Sequence, residues 1–319
     1  MKRFFITGGA GFIGSNLADR LLSQGNAVTV YDNLSTGQMR FLELAQSKKD
    51  FRLVQGELLD LPKLTSAVAG HDAVFHLAAN ADVRFGLNHP EKDLNNNTIA
   101  TFNVLEAMRH NGVKFIAFSS TGSVYGEPNV FPTPEDCPFP VQTSLYAASK
   151  IAGEGLISAY ATGYGFSACI FRFVSILGER YSHGHVFDFY RKLLDNPNEI
   201  EVLGNGKQRK SYLYIQDCID GILAGMAAAT EPVHVYNLGQ EEYCEVNQSL
   251  DCITAELKLK PTRKYTGGQR GWIGDSPFIL LDISRMKKIG WKPKVGILDA
   301  VVKTLRYLQE NRWLLENRT

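Results

Sequence analysis

Short apolar runs alternate with longer amphipathic stretches over the first half of the chain. Six runs are rich in β-branched or aromatic residues and are bounded by polar or glycine-containing segments, which is typical of strands. They lie at Arg3–Thr7, Ala27–Tyr31, Phe51–Gln55, Ala73–Leu77, Phe115–Ser119 and Ala168–Phe173. Helices are predicted between them at Gly11–Ser23, Leu61–Ala69, Leu94–His110 and Ser144–Thr162. Because such strands are apolar on both faces, the alternation predicts an α/β fold with a doubly wound parallel sheet.

The alternation breaks down after residue 174. Helices are predicted there at Val186–Leu194, Ile215–Ala229, Val246–Leu257 and Leu298–Glu310, with short strands at Ile200–Leu203 and His234–Leu238. We therefore expect residues 1–174 to form the domain with the parallel sheet and residues 175–319 to form a smaller α/β lobe. No linker separates the two regions, so their segments are expected to interleave.

The composition narrows the classes of function. The 319 residues are 44% hydrophobic, which is enough for a large core. The 34 Lys and Arg residues balance the 33 Asp and Glu residues, and the net charge of +1 gives no basis for binding nucleic acid or a membrane surface. The five cysteines show neither CxxC spacing nor a metal-ligand pattern, and no stretch approaches the roughly 20 apolar residues of a membrane helix. We expect a soluble, cytoplasmic protein with reduced thiols.

A glycine loop follows the first predicted strand in "TGGAGFIGSNLADRLL". Gly8, Gly11 and Gly14 form G-x-x-G-x-x-G between that strand and a helix. The first glycine permits a tight turn, the second lets a pyrophosphate approach the backbone, and the third lets the helix pack closely on the sheet. A glycine triplet is weak evidence alone, but this one has the strand and the helix that the motif requires. The loop predicts a Rossmann-type dinucleotide site.

Asp32 lies just beyond the second predicted strand. A carboxylate at this place accepts both ribose hydroxyls of an adenosine. The alternative role is a cap of the turn in "YDNLSTG". Because a carboxylate repels a 2′-phosphate, Asp32 favours NAD over NADP, although Arg40 is close in the sequence.

Tyr146 stands four residues before Lys150 in "YAASK", near the start of a strong helix. Residues i and i+4 of a helix share one face, so the ammonium can lie near the phenol. That charge, together with a cationic nicotinamide, is expected to lower the pKa of the phenol from about 10 toward neutrality, which makes a general base. Ordinary helices often contain this spacing by chance. Behind a glycine loop of this topology, we favour the catalytic interpretation.

These motifs closely resemble those of the extended short-chain dehydrogenase/reductase family, in particular its nucleotide-sugar epimerases and dehydratases. The resemblance covers nearly the whole chain. It is carried by the segments "TGGAGFIG", "DNLS", "HLAA", "SSTGSVYG", "YAASK" and "RGWIGD".

The resemblance implies NAD as the cofactor and identifies residues that contact it. In the family, the backbone after the fourth strand lines the cofactor, and an asparagine lies near the nicotinamide; helix capping is the alternative role for Asn97. The implied cofactor-binding residues are Gly8, Gly11, Phe12, Ile13, Gly14, Asp32, Asn33, Ser35, Thr36, Leu77, Ala78, Ala79, Asn97, Ser119, Tyr146 and Lys150.

The resemblance also implies a sugar-oxidising site. In the family, a Ser or Thr 25 residues before the catalytic tyrosine binds the reacting sugar hydroxyl, and this position is Thr121. Family 4,6-dehydratases carry Asp-Glu directly after it, and UDP-glucuronate decarboxylases need a glutamate at the second of these positions. Gly122 and Ser123 stand there in this chain. The resemblance therefore favours an isomerase, a 4-epimerase of the UDP-glucose/UDP-galactose type. A dehydratase or 4-keto reductase is the alternative.

The smaller lobe is expected to hold the nucleoside diphosphate of the substrate, most simply a UDP-sugar. Arg209, Lys210 and Arg270 are candidate cations for the pyrophosphate, with surface ion pairs as the alternative. Asp275 resembles the family's ribose-binding acid, and Ser175 stands where many family epimerases have an asparagine. Ile279 matches the position that limits bulk at the sugar C2. Its intermediate size leaves N-acetylated and uronic acid sugars open.

A homodimer is the expectation that the family gives. The predicted helices Leu94–His110 and Ser144–Thr162 would pair with their copies into a four-helix interface. The apolar positions on them are Ile99, Phe102, Leu105, Ile151 and Leu156. Internal packing is an equally good account of these five side chains.

Overall fold

The computed structural model describes residues 1–80, 85–138, 141–271, 276 and 278–316. Its strands, in chain order, are β1 Arg3–Thr7, β2 Ala27–Asp32, β3 Phe51–Gln55, β4 Ala73–His76, β5 Phe115–Thr121, β6 Ser167–Phe173, β7 Ser175–Leu177, β8 Glu199–Val202, β9 Arg209–Lys210, β10 Tyr212–Tyr214, β11 Val233–Leu238, β12 Cys244–Glu245, β13 Thr262–Tyr265 and β14 Phe278–Ile279. A seven-stranded sheet forms the centre, in the spatial order β3-β2-β1-β4-β5-β6-β11. Every pair in this sheet is parallel. The predicted doubly wound parallel sheet is confirmed.

The described helices, in chain order, are α1 Phe12–Ser23, α2 Glu43–Gln46, α3 Leu61–Val68, α4 Phe85–Asn88, α5 Pro90–Asp93, α6 Ala100–His110, α7 Leu145–Tyr164, α8 His185–Asp195, α9 Ile215–Ala227, α10 Val246–Leu257, α11 Ser284–Lys288, α12 Ile297–Glu310 and α13 Trp313–Glu316. A π-helical segment, Leu94–Ile99, precedes α6, and 3₁₀ turns lie at Met39–Leu42 and Gly122–Tyr125. Across the described residues, none of these helices has the length and apolar composition needed to cross a membrane.

Helices cover both faces of the sheet. On one face, buried residues of α3, α6 and α7, among them Leu64, Val104 and Ile157, pack on the strands. On the other face, buried residues of α1 and α9 join those of the strands and of α8, α10 and α12 in one apolar cluster. Each face of a central strand is therefore buried, which explains why these strands are apolar without alternation.

The helix α7 shows how local sequence sets the ends of an element. The side chain of Ser144 accepts a hydrogen bond from Ala147 N at 3.2 Å and so caps the first turn. Gly165 follows the last turn with φ +66°, the left-handed conformation that ends many helices. These two caps fix which residues of α7 face β5 and β6.

The smaller lobe contains short strand pairs and the helices α8, α10 and α12. β7 pairs with β10, β8 pairs with β13, and β9 lies between β12 and β14. β11 follows residue 174 in the chain, yet it is the edge strand of the main sheet and pairs with β6. The division at residue 174 stays a prediction, with β11 as one segment that crosses it.

The structure extends or divides two predicted elements. β5 continues past Ser119 to Thr121, because its parallel pairing with β6 persists to the Thr121–Phe173 pair. The predicted single helix Leu94–His110 is a π-helical segment followed by α6. A π segment holds one extra residue per turn, and such segments often lie at functional sites. The pattern of hydrophobic residues indicates neither the longer β5 nor the π-helical segment.

Leu105 provides a test of the packing. It lies on α6 and is completely buried, whereas Phe102 on the same helix keeps 40% of its surface exposed. We expect Leu105→Ala to lower the free energy of unfolding by about 2–5 kcal/mol, because it leaves a cavity in the core. Leu44→Ala on α2, where the side chain is 55% exposed, is the matched control and should cost much less. Urea unfolding measures both. Equal losses for the two variants would contradict the packing described here.

Candidate active site

The predicted cofactor residues lie at the carboxyl ends of neighbouring strands of the main sheet. The chain runs outward from β1 through β2 to β3 and then resumes on the other side of β1 with β4. In open α/β sheets, ligands bind in the crevice at such a reversal. The glycine loop follows β1, Asp32 ends β2, residues 77–79 follow β4, and Ser119 and Thr121 belong to the end of β5.

The glycine loop packs too closely for larger residues. Gly8 has φ +68°, in the left-handed region, and a Cβ there would lie 2.7 Å from the backbone of Ala78. A Cβ at Gly14 would lie 2.7 Å from Gly9 Cα and closer still to the carbonyl oxygen of Gly8. The start of α1 therefore lies against the loop at a distance that only glycine allows.

The first turn of α1 directly follows the start of the glycine loop. The helix begins at Phe12, and its N-cap, Gly11, provides no side-chain cap within the described residues. Phe12 and Ile13 are both half-buried. An uncapped helix N-terminus behind a glycine loop is well suited to bind a pyrophosphate.

The Asp32 carboxylate is buried and held by the backbone. Its Oδ2 accepts a hydrogen bond from Ala10 N at 2.9 Å, and its Oδ1 accepts one from Leu34 N at 2.8 Å. Burial raises the pKa of this carboxyl, and the two N–H donors oppose that rise. The bond to Leu34 shows that Asp32 does cap the turn. Each oxygen has a second lone pair, so acceptance of ribose hydroxyls is compatible with this role.

The residues after Asp32 form a short polar turn. Asn33 Oδ1 accepts hydrogen bonds from Ser35 N at 3.0 Å and from Ser35 Oγ at 2.8 Å. Ser35 and Thr36 are exposed. The guanidinium carbon of Arg40 lies 4.8 Å from the centre of the Trp313 ring. This stacking contact keeps Arg40 against α13.

The segment after β4 is attached to the glycine loop. Leu77 N donates to Thr7 O at 3.2 Å, and Ala78 N donates to Thr7 Oγ1 at 3.3 Å. Leu77, Ala78 and Ala79 are half-buried. This segment therefore lines the crevice beside Gly8.

Asn97 is buried in the π-helical segment and connects three elements. Its Oδ1 accepts a hydrogen bond from Asn80 N at 2.8 Å, and its Nδ2 donates to Ser149 Oγ on α7 at 2.8 Å. Nδ2 also lies 3.3 Å from Asp93 Oδ1. Its side chain thus holds the end of the β4 loop against α7, beside Lys150.

Tyr146, Thr121 and Ser123 bring three hydroxyl groups together. The Tyr146 phenol is hydrogen-bonded to Thr121. Thr121 Oγ1 donates to Ser123 Oγ at 3.2 Å and accepts from Ser123 N at 3.1 Å. Thr121 is the last residue of β5 and Ser123 lies in the following 3₁₀ turn. A sugar hydroxyl placed here would meet both a phenol and an aliphatic hydroxyl.

Lys150 is buried beside β5, and 2% of its surface is exposed. Its Nζ donates to Ser119 O at 2.8 Å and lies 4.8 Å from the centre of the Phe118 ring. Burial lowers the pKa of Lys150 to about 7, while Glu154 and Asp93 act to raise it. The ammonium is therefore close to its titration point at neutral pH.

The chain's own groups do not give Tyr146 the low pKa expected from the sequence. Burial raises the pKa of Tyr146 to about 12, the hydrogen bond with Thr121 lowers it, and the charge of Asp93 raises it. Desolvation of the phenolate outweighs the nearby donor. The predicted lowering combined Lys150 with a cationic nicotinamide, and it stays a prediction.

The turn after Thr121 carries no carboxyl group. A Cβ at Gly122 would lie 3.3 Å from Phe173 O and 3.4 Å from the Cδ atoms of Leu281. Ser123 is half-buried and bonded to Thr121. At the first position after Thr121, neighbouring atoms fill the space beside Gly122. The second position carries the small hydroxyl of Ser123.

Arg209 and Lys210 lie on β9, but they point to opposite faces, as adjacent strand residues do. The guanidinium carbon of Arg209 lies 4.1 Å from the ring centre of Phe278 and 5.4 Å from that of Tyr243. Lys210 Nζ donates to the carbonyl oxygen of Ser276. The expectation that both cations hold one pyrophosphate does not fit this geometry.

Arg270 forms an ion pair with Glu127 at 2.6 Å. Glu127 directly follows Gly126, so this pair connects the segment after the Gly122–Tyr125 turn to the smaller lobe. Ser175 is exposed at the first residue of β7, just past the carboxyl end of β6. Asp275 lies outside the described residues.

Asp93 is a residue of the site that the sequence did not indicate. It is 1% exposed, and Asn80 Nδ2 donates to its Oδ1 at 2.9 Å. Its charge raises the pKa of both Tyr146 and Lys150. Its only sequence signal is a position four residues before Asn97, which places both on one helix face.

These features fit a dinucleotide. The glycine loop, the uncapped first turn of α1 and the buried Asp32 carboxylate form a cradle for a pyrophosphate and an adenosine ribose. Comparison with known proteins also indicates a dinucleotide. The profile of the NAD dependent epimerase/dehydratase family matches residues 4–239. The chain belongs to this family.

Relatives within the family share nearly the whole length of the chain. A UDP-glucose 4-epimerase of Mycolicibacterium smegmatis is 30% identical over 314 residues, which cover 96% of this chain and 98% of the relative. A crystal structure of a UDP-galactose 4-epimerase is 36% identical, with a TM-score of 0.87, and covers 98% of this chain and 100% of that one. A UDP-glucuronic acid 4-epimerase of Bacillus cereus, solved with UDP-glucuronic acid and NAD, is 25% identical, with a TM-score of 0.88 and coverage of 97% and 99%.

Membership of the family confirms four predictions. The chain is an extended short-chain dehydrogenase/reductase with the predicted fold, and NAD is its cofactor. It is an enzyme, and the epimerases among its relatives support the predicted isomerase class. The roles of the individual site residues stay predictions.

Gly14 provides a test of the cofactor cradle. We expect Gly14→Ala to weaken NAD binding by about tenfold or more, because its methyl group would meet the backbone of Gly8 and Gly9 and push α1 away. Gly155→Ala on α7 is the matched control, since no heavy atom lies within 4 Å of its Cβ position. Isothermal titration of the apo proteins with NAD measures both. Wild-type affinity in Gly14→Ala would contradict the close packing of the loop.

Proposed function

We propose that the protein is an NAD-dependent 4-epimerase of a nucleotide sugar, with UDP-glucose and UDP-galactose as the simplest substrate pair. The reaction passes through a transient 4-keto sugar and causes no net oxidation. The full-length relatives named as 4-epimerases support this reaction.

The observation that carries the proposal is the turn after Thr121. A 4-keto sugar loses water only if an acid or base acts at C5 and C6, and the positions that would supply it are Gly122 and Ser123. Leu281 and the carbonyl of Phe173 fill the space beside Gly122, so a carboxylate does not fit there without displacement of its neighbours. Among the described residues, this turn thus supplies no acid or base that could drive elimination. It favours return of the hydride to the other face of the sugar.

The hydroxyl cluster supplies the proton transfer. Thr121 binds the C4 hydroxyl of the sugar and connects it to the Tyr146 phenol, which takes the proton as general base. Bound NAD in its oxidised form would supply the positive charge and the acceptor for the C4 hydride. Lys150 holds its ammonium beside this site through Ser119 O. On hydride return, the same phenol gives the proton back.

The smaller lobe binds the nucleotide. Lys210 and Arg270 are the cations that we assign to the pyrophosphate, while Arg209 is retained by its aromatic contacts with Phe278 and Tyr243. The ion pair of Arg270 with Glu127 has to open or reorient for this contact. Because both groups of this pair are exposed, its exchange for a phosphate costs little.

The relatives act on more than one sugar. Their names give glucose, galactose and glucuronic acid as the sugars of the nucleotide substrates. Ile279 is half-buried on β14 and pairs with Lys210. It therefore lies beside the proposed pyrophosphate site, where its bulk can act on the C2 substituent.

A homodimer is part of the proposal. Of the five apolar positions expected at the interface, Ile99 and Phe102 are each 40% exposed, whereas Leu105 is buried inside the protein. Ile151 and Leu156 are half-buried. Exposed aromatic and branched side chains on α6 and the segment before it support a partner helix at this surface.

Products of a nucleotide-sugar panel test the function. Purified protein is incubated with UDP-, dTDP- and GDP-sugars, and the products are identified by NMR. We expect interconversion of C4 epimers without added cofactor, and a loss of about 10²–10⁴-fold in turnover for Tyr146→Phe. A product lighter by one water, or net consumption of NAD(P)H, would instead support the dehydratase or reductase alternative.

Tyr164→Phe is the matched control for Tyr146→Phe. It removes a phenol from the end of the same helix, where the side chain is 49% exposed, and should leave turnover unchanged. Full activity of Tyr146→Phe would contradict the proposed general base.

A further inference from the structure

Glu154 lies four residues after Lys150 on α7, and Lys150 lies four residues after Tyr146. The three side chains therefore occupy one stripe of the helix. Glu154 is 6% exposed. A buried carboxylate is costly unless hydrogen bonds or an opposite charge compensate it. Its partners show what it is held for.

Arg172 and Ser120 hold the Glu154 carboxylate from neighbouring strands. Arg172 Nε donates to Oε1 at 3.0 Å and Nη2 donates to Oε2 at 2.7 Å, a bidentate pair. Ser120 Oγ donates to Oε1 as well. Ser120 on β5 and Arg172 on β6 are register partners in the sheet. The Glu154 carboxylate is thus held at Ser120, the residue that precedes Thr121.

The other end of Arg172 reaches the turn beside the proposed sugar site. Its Nη1 donates to Tyr125 OH at 2.8 Å and to Glu135 O at 2.9 Å. Tyr125 is the last residue of the Gly122–Tyr125 turn, and its hydroxyl donates to Asn237 Oδ1 on β11 at 2.8 Å. One buried guanidinium therefore connects the helix of Tyr146 and Lys150 to the turn that carries Ser123.

Two carboxylates among the described residues act on the charge of Lys150. They are Glu154 on its own helix and Asp93 at the end of α5. His76 on β4 is neutral, because burial lowers its pKa to about 3. Arg172 is a second buried cation, ion-paired with the same Glu154 carboxylate at 2.7 Å. Loss of the Glu154 charge would leave these two buried cations with Asp93 as the remaining carboxylate that acts on Lys150 among the described residues.

We propose that Glu154, held by hydrogen bonds from Arg172 and Ser120, is a positioning residue for the active site. It acts as the buried counter-charge of Lys150. Through Arg172 it also connects the Thr121–Tyr125 turn to α7. The proposal rests on the proposed function in one respect, the catalytic roles of Tyr146 and Lys150. It predicts that the protonation of Lys150 depends on a residue that touches neither cofactor nor sugar.

The test follows the titration of Lys150 in the full-length protein with its bound cofactor. Lysine is labelled with ¹³C at Cε, and the Lys150 signal is assigned by its absence from Lys150→Met. In Glu154→Gln we expect the titration midpoint to fall by about one pH unit or more, because the carboxylate no longer favours the ammonium. An unchanged midpoint would overturn the proposal. The titration needs no turnover, so a different activity of the enzyme would leave this result intact.

Two further variants separate charge from shape. Ser120→Ala removes a hydrogen bond to Glu154 but keeps both charges, so the midpoint should stay at the wild-type value. Arg172→Gln removes the competing cation and should raise the midpoint, which also provides the test if Glu154→Gln does not fold. A fall of the midpoint in Arg172→Gln, or an equal fall in Ser120→Ala, would show that the effect is structural and would overturn the counter-charge role.

Discussion

The pairing of β5 between β4 and β6 is the constraint on which the site depends. It places three consecutive polar residues at one edge of the sheet, next to His76 on one side and Arg172 on the other. The carbonyl of Ser119 accepts a hydrogen bond from Lys150, Ser120 donates one to Glu154, and Thr121 is hydrogen-bonded to Tyr146. A shift of register by one residue would move each side chain to the opposite face. The stripe on α7 and the end of β5 are therefore complementary only in this alignment.

Burial is the second physical condition of the site. It moves the pKa of Tyr146 up and that of Lys150 down, so each group is driven toward its neutral form. The proposed reaction needs a phenol that gives up its proton and an ammonium that keeps one. Burial disfavours both of these charged forms. Fixed charges have to compensate, and the structure provides Glu154 and Asp93 near Lys150. At Tyr146, the positive charge of bound, oxidised NAD would oppose the rise of the pKa.

Sequence reasoning succeeded where the signal is local. Strand β3 and helix α10 have the predicted bounds, and the glycine motif that begins at Gly8 connects β1 to α1 as expected, with Gly14 in the first turn of the helix. It failed where the result depends on contacts between distant segments. The pKa of Tyr146 is set by desolvation, the separation of Arg209 from Lys210 by strand pairing, and the role of Glu154 by a partner on another strand. Two signals were available nonetheless: Glu154 repeats the spacing of Tyr146 and Lys150, and Arg172 interrupts an apolar strand.

The central claim is that the oxidised sugar goes back to the alcohol at C4 because the turn after Thr121, as the described part of the chain shows it, holds no acid or base that can divert it. A nucleotide hexose carrying deuterium at C4 tests this most directly. We expect the C4 epimer to form with deuterium retained at C4, because the same hydride leaves and returns without contact with solvent. Loss of the label to water, or accumulation of a keto or dehydrated sugar, would contradict the claim.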